Sequence, residues 1–134
     1  MTEFRLDDRL TANTLFIADW PLSRVLLMND ARYSWLVLVP RRADISELHE
    51  LPAEDRVQLI EEIARASGVL KGASSAAKIN VGALGNIVAQ LHVHIVARSP
   101  GDAAWPGPVW GRGDLVPYEP AARDALIVRL RNLL

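Results

Sequence analysis

Apolar residues alternate in some stretches of the chain and recur every three or four positions in others, which separates strands from helices. Thr14-Leu15-Phe16-Ile17, within residues 13–18, reads as a strand that Trp20-Pro21-Leu22 breaks. Residues 23–28 read as a second strand, followed by the turn signal Asn29-Asp30. Residues 34–39 form a third, nearly all apolar and therefore central in its sheet. The short link between the last two predicts an antiparallel hairpin. After Pro40-Arg41-Arg42 the spacing lengthens: Ile45, Leu48 and Leu51 suit one or two helical turns. Pro52 opens the main helix, with Glu54 and Asp55 in its first turn, where the helix dipole favours acids. Val57, Ile60, Ile63, Ala64 and Ser67 define its expected inward face, and Gly72 its stop. Residues 76–81 and 89–97 read as two further strands joined through the Gly82…Gly85 turn.

Residues 98–118, rich in Pro and Gly, predict a long irregular segment of the kind that usually carries function. Pro120 opens a last helix with Ala122, Leu126, Leu130 and Leu133 on one stripe. Residues 1–12 form an irregular or helical lead-in, with Asp7-Asp8 as its capping region. Strands, one dominant helix, then strands again is an α+β order: an antiparallel sheet of about five strands with a main helix and a C-terminal helix. No repeat or linker interrupts it, so residues 1–134 are expected to be a single domain.

At 134 residues the chain can bury one proper core. Its apolar runs are too short to span a bilayer, and the start Met-Thr-Glu-Phe-Arg-Leu-Asp-Asp lacks the pattern of a secretory signal. The absence of cysteine excludes a disulfide framework and fits a cytoplasmic home. Fifteen basic against 16 acidic residues leave no concentrated positive field, so neither nucleic acid nor a membrane surface is an expected partner. Small anionic substrates need only a few local donors and stay open.

The chemistry concentrates in Gln90-Leu91-His92-Val93-His94-Ile95-Val96. Strand alternation puts Gln90, His92 and His94 on one face, with successive same-face Cα atoms about 7 Å apart. Two imidazoles at that spacing can act on one small group such as a phosphate. They can equally be cross-strand packing or a solvent face. A metal site is a third reading, but zinc needs three or four ligands, there is no cysteine, and the one other histidine, His49, lies in a helical segment. No metal ligand set is therefore assigned. Neutral imidazole is a good nucleophile near pH 7, and the phosphoramidate it forms is open to water, which divides one hard displacement into two easier ones.

Around this pair stand Asn80-Val81-Gly82-Ala83-Leu84-Gly85-Asn86-Ile87-Val88-Ala89 upstream and Ala97-Arg98-Ser99-Pro100-Gly101-Asp102, then Trp105-Pro106, downstream. With the strand Trp35–Val39 ending at Pro40-Arg41-Arg42, the block resembles the histidine-triad (HIT) superfamily of nucleotide hydrolases and transferases over about residues 25–110. Gln90 departs from the pattern where the family usually has its first histidine, and Trp35 where many members have another. The resemblance implies a HIT-like sheet and a covalent nucleotidyl intermediate on His92, formed by attack on an α-phosphate. A backbone carbonyl is the expected partner of the other His92 nitrogen. His94 matches the last triad position, where an imidazolium would steady the phosphate and protonate the leaving group. Gln90 is taken as lining the site, where it can hydrogen-bond but not titrate, or else as a spacer at its edge.

For the substrate, the resemblance implies phosphate contacts from Asn86 and the amides after Gly85, a ribose contact near Asn29 or Asp30, and Trp105 approaching the site. Asn80 is either a site residue or a turn-closing side chain. Ile87 stands where the family often has Ser or Thr and offers only backbone. Trp35 and Trp110 are expected to cover the core, and Arg41, Arg42 and Arg98 to face solvent. Dinucleoside polyphosphates or nucleoside phosphoramidates are the implied substrates, with no cofactor required and a homodimer as the implied assembly. A nucleotide-binding protein with little turnover, its triad altered at Gln90, is the alternative, and a metal-dependent enzyme using His92 and His94 a third.

Overall fold

In the computed structural model, which describes residues 3–134, five strands form one antiparallel sheet. They are β1 (Thr14–Asp19), β2 (Ser23–Met28), β3 (Trp35–Pro40), β4 (Lys78–Gly82) and β5 (Val93–Arg98), in spatial order β1-β2-β3-β5-β4. The helices are α1 (Asp8–Asn13), α2 (Ala53–Ser74) and α3 (Pro120–Leu133). This is the expected α+β arrangement, with the long helix between β3 and β4.

Strand alternation sends successive side chains to opposite faces, and here both faces of the sheet are covered. On one, Val25, Leu27, Leu36, Leu38, Ile95 and Ala97 meet Ala66 and Leu70 of α2 and Leu130 of α3. On the other, Leu26, Met28, Trp35, Val37, Val39 and Val96 meet Leu10 of α1 and Ala104 and Val109 of the irregular segment. Every residue of β5 is consequently buried, where the alternating pattern had suggested a half-exposed strand. The strand is also shorter than residues 89–97, because the Leu91 N–H leaves the sheet to bond the Ile45 carbonyl at 2.9 Å.

Helix α2 shows where apolar spacing misleads. Its buried stripe is Asp55, Leu59, Glu62, Ala66 and Leu70, whereas the expected Val57 and Ile60 stand 65 % and 57 % exposed. Two acids occupy the stripe because each meets a specific need. The Glu62 carboxylate accepts the Leu22 and Ser23 backbone N–H groups, both at 2.9 Å, and the Gln58 side-chain amide. Hydrogen bonds to a charged group are worth about 1.5–3 kcal/mol each. Three of them match or exceed the roughly 1.5–3 kcal/mol of burying one aliphatic side chain there. Asp55 accepts both arms of the Arg42 guanidinium. The helix passes Gly72 and ends where Ser75 turns left-handed at φ 56°.

In α3 Leu130 is buried, Leu126 partly so, and Ala122 and Leu133 face outward. Its Arg131 donates to the Phe16 and Ile17 carbonyls, at the bulge of edge strand β1. Arg98, expected in solvent, is 1 % exposed. It lies on the second face of β5 and needs the Asp102 carboxylate (2.8 and 3.0 Å) and the Asn80 side-chain oxygen (2.8 Å) to be tolerated there. Asp102 also accepts the Ser99, Ala104 and Trp105 N–H groups, so the same pair starts the irregular segment off β5.

The Arg98 guanidinium, first, holds the Asp102 carboxyl down from 3.8 to about 2. A carboxyl whose folded value lies below its unfolded one stabilises the fold above about pH 4, and that contribution disappears as pH falls toward 2. At about 1.4 kcal/mol per pH unit the lost amount is about 2 kcal/mol. Urea unfolding at pH 4 and pH 2 should show Asp102→Asn losing about 2 kcal/mol less than the wild type across that interval. Equal losses would mean the pair does not couple to folding.

Candidate active site

The ends of β2, β3 and β5, α1, the loop after β4 and the irregular segment enclose a cavity of about 510 Å³, within the range of small-molecule sites. His92 and His94 lie in its wall with ring centroids 4.9 Å apart, and both are more than nine-tenths buried.

Each ring is set by one hydrogen bond. His92 Nδ1 lies 2.7 Å from the Gln90 carbonyl, an oxygen with no proton to give, so Nδ1–H donates, and in the neutral ring this places the lone pair on Nε2. His94 is set the other way. The Trp35 indole Nε1–H, which can only donate, meets His94 Nδ1 at 3.0 Å, so Nδ1 accepts and the proton sits on Nε2. Burial, and then the neighbouring His92, push His94 down to about 3. His94 is thus a neutral donor at physiological pH and not the imidazolium of the sequence-based expectation.

The register explains the box around His94. Its cross-strand partners are Val37 on β3 and Gly82 on β4. Glycine at 82 leaves room for Trp110, since a Cβ there would lie 2.9 Å from the indole. Trp110 stacks edge-on to His94 at 5.5 Å, and Trp35 approaches from the other side at 5.5 Å. Trp110 therefore packs on the core, as expected, and also forms a wall of the cavity.

Of the site residues expected from the sequence, His92, His94, Gly85 and Asn86 line the cavity, and so do Ile87, Trp110 and Trp35, the last both a core residue as expected and part of the cavity wall. Gly85 takes φ +78°, the left-handed turn that brings the loop against it. Gln90, Asn29, Asn80 and Trp105 do not line it. The Gln90 amide accepts the Asp7 N–H and donates to the Arg5 carbonyl, both at 2.8 Å, which fastens the N-terminal segment to the sheet. Asn29 accepts the Tyr118 N–H at 3.0 Å, Asn80 holds Arg98, and Trp105 lies beside the Arg98 guanidinium. Asp30 is fully buried and pairs with Arg32.

Local pattern pointed to neither Arg9 nor Arg32, yet both reach the cavity, as do Asn13, Met28 and Leu115. Arg9 donates to the Ile87 carbonyl at 2.8 Å, joining α1 to the loop after β4. Arg32 donates to the Arg112 carbonyl at 2.7 Å, pinning the irregular segment. Fastening Gln90 to residues 5 and 7 places Arg9, a link that crosses more than 80 residues and leaves no local signal. Among the described residues no three His, Cys, Asp or Glu side chains converge on a metal position.

The HIT domain matches residues 9–101 of the chain. Three solved bacterial structures superpose on nearly all of it. A histidine triad (HIT) protein of Sinorhizobium meliloti is 46 % identical, with 98 % of this chain and 97 % of that one covered and a TM-score of 0.95. A histidine triad protein of Bradyrhizobium japonicum is 45 % identical, with 98 % of each chain covered and a TM-score of 0.95. One from Marinobacter aquaeolei is 42 % identical, covering 99 % and 97 %, with a TM-score of 0.97. No curated protein matches the chain. With a domain match over most of its length and relatives alike from end to end, the chain belongs to the HIT domain family.

Proposed function

We propose that the chain, acting as one domain, is a nucleotide-phosphate hydrolase or nucleotidyl transferase that works through a nucleotidyl group carried on His92. The observation that carries this is the His92 Nδ1–H···O=C bond to Gln90, which leaves Nε2 as the nucleophilic nitrogen of a ring in the cavity wall. Family membership supports the same chemistry.

The cavity has the two characters a nucleotide needs. Leu10, Met28, Val109 and Leu115 offer an apolar surface for a base, and Arg9, Asn86 and the turn at Gly85 offer donors for phosphate oxygens. His94 contributes its Nε2–H as a donor of fixed direction. Gln90, expected at the site itself, acts at one remove by holding the segment that carries Arg9. Dinucleoside polyphosphates and nucleoside phosphoramidates are the substrate classes considered. One observation favours a second reading, binding with little turnover: no acid stands beside His92, because His94 is held down to about 3.

We further propose a homodimer. Val57 and Ile60 leave an outward apolar patch on α2, which packs against β4, and β4 is a sheet edge with Val81 49 % exposed. The opposite edge, β1, has carbonyls engaged by Arg131, so β4 is the better pairing edge. No helix among the described residues is long and apolar enough to cross a membrane. The cysteine-free composition fits the reducing cytoplasm.

Incubation with a dinucleoside polyphosphate under chelator, followed by intact-mass analysis, should reveal a mononucleotide adduct that His92→Ala abolishes. Turnover in that variant should fall by at least about 10³-fold, about 4 kcal/mol of transition-state stabilisation. Retained affinity with neither adduct nor turnover in the wild type would favour the binding protein. Light scattering after size exclusion should give twice the chain mass, and Val57→Lys with Ile60→Lys should shift it to one chain. A wild-type monomer at micromolar concentration would sink the dimer.

A further inference from the structure

We propose that Trp35 is a positioning residue that locks His94 as the neutral Nε2–H tautomer, and that this lock makes the site select substrates whose leaving group departs as an oxyanion. The second half rests on the nucleotidyl-His92 chemistry proposed above; the lock itself does not.

The geometry leaves His94 little choice. An imidazolium carries protons on both nitrogens, and a proton on Nδ1 would point at the Trp35 N–H 3.0 Å away, donor against donor. The bond is buried, with Trp35 at 5 % and His94 at 6 % exposure, so water cannot readily replace the indole. Among the described residues set against His94, β3 brings Trp35 and Val37, β4 brings Gly82, the irregular segment brings Trp110, and β5 brings His92, the titratable group of these. Arg9 and Arg32 in the cavity wall are paired with Asp7 at 3.2 Å and Asp30 at 2.8 Å. Among the described residues no carboxylate lines the cavity to favour a charged His94.

The consequence follows from electron counting. His92 Nε2 forms a P–N bond as the bridging P–O bond breaks, and that electron pair leaves on a polyphosphate oxygen, which is stable as an anion. The proton on His92 Nδ1 stays on that nitrogen, donated in its hydrogen bond to the Gln90 carbonyl. Water then attacks phosphorus, the P–N pair returns to Nε2, and the water gives one proton to solvent. An alkylamine leaving group cannot follow this course, because its nitrogen must gain a proton before the bridging P–N bond breaks. A locked His94 has none to spare, and general acid catalysis contributes typically about 10²–10⁴-fold.

The lock is read directly in the wild-type protein labelled with ¹⁵N. Between pH 5 and 8, His94 should keep an unprotonated Nδ1 and a protonated Nε2, with a scalar coupling across the Trp35 Nε1–H···Nδ1 bond. An imidazolium pattern in that range, the opposite tautomer or a missing coupling would overturn it. Trp35→Phe, which retains an aromatic ring and drops the N–H, should admit the other tautomer or the imidazolium by pH 5. If His94 is unchanged, burial alone sets its state and Trp35 loses the role. For selectivity, kcat/KM for diadenosine tetraphosphate should exceed that for an adenosine N-alkylphosphoramidate by at least about 100-fold. Comparable values would refute the leaving-group half. If neither compound is turned over and no adduct forms, the hydrolase reading fails with its selectivity, while the ¹⁵N spectra still decide the lock.

Discussion

Burial of β5 on both faces is the constraint from which the site follows. A strand at this depth accepts a polar side chain only with a dedicated partner, because an unpaired buried group costs about 1–3 kcal/mol or more. The strand and the residue before it carry three such side chains, and each has its partner: the Gln90 carbonyl for His92, the Trp35 indole for His94, and Asp102 with Asn80 for Arg98. These bonds make the strand tolerable. They also determine which nitrogen of each imidazole is left for chemistry.

The two faces are covered by different material, and the site lies under the looser cover. Helices α2 and α3 seal one face with aliphatic packing. Over the other lie α1 and the irregular segment, which pack on the sheet through Leu10, Ala104 and Val109 and are otherwise braced by hydrogen bonds at separated points: Gln90 to residues 5 and 7, Arg9 to Ile87, Arg32 to Arg112, and Asn29 to Tyr118. A cover braced at points leaves a cavity between the braces, which continuous side-chain packing would have filled. Several polar residues that look like ligand contacts in the sequence are those braces.

Much of this was legible in the chain, for reasons that particular residues make plain. The strand positions and the histidine pair are readable because alternation is local and period-two. The inward face of α2 was misread because Asp55 and Glu62 lie on it, bonded to Arg42 and to the backbone at residues 22 and 23, partners that helical spacing cannot announce. Alternation sets Gln90 with the histidines, yet its amide is taken by the Asp7 N–H and the Arg5 carbonyl, partners more than 80 residues away that the strand pattern does not show. Trp110 became a site residue through Gly82, whose missing Cβ clears its place. The tautomer of His94 depends on an N–H 59 residues away, visible only once β3 and β5 are paired.

The same enclosure weakens one catalytic device and strengthens another. Burial between two indoles and a strand disfavours the charged ring of His94, so in the proposed reaction it would not serve as an acid. The same burial lowers the local dielectric, so a neutral N–H of fixed direction would act on a phosphoryl oxygen, as proposed above, more strongly than in solvent. Such a dipole is already oriented when charge develops on the phosphorus oxygens and needs no reorganisation to meet it. A proton donor that could titrate would need a wetter site, and the Nε2–H would then lose its fixed aim. Trp35 in place of an ionisable residue therefore favours fixed electrostatics over proton transfer, and β5, buried on both faces, supplies the dry surroundings in which that balance holds.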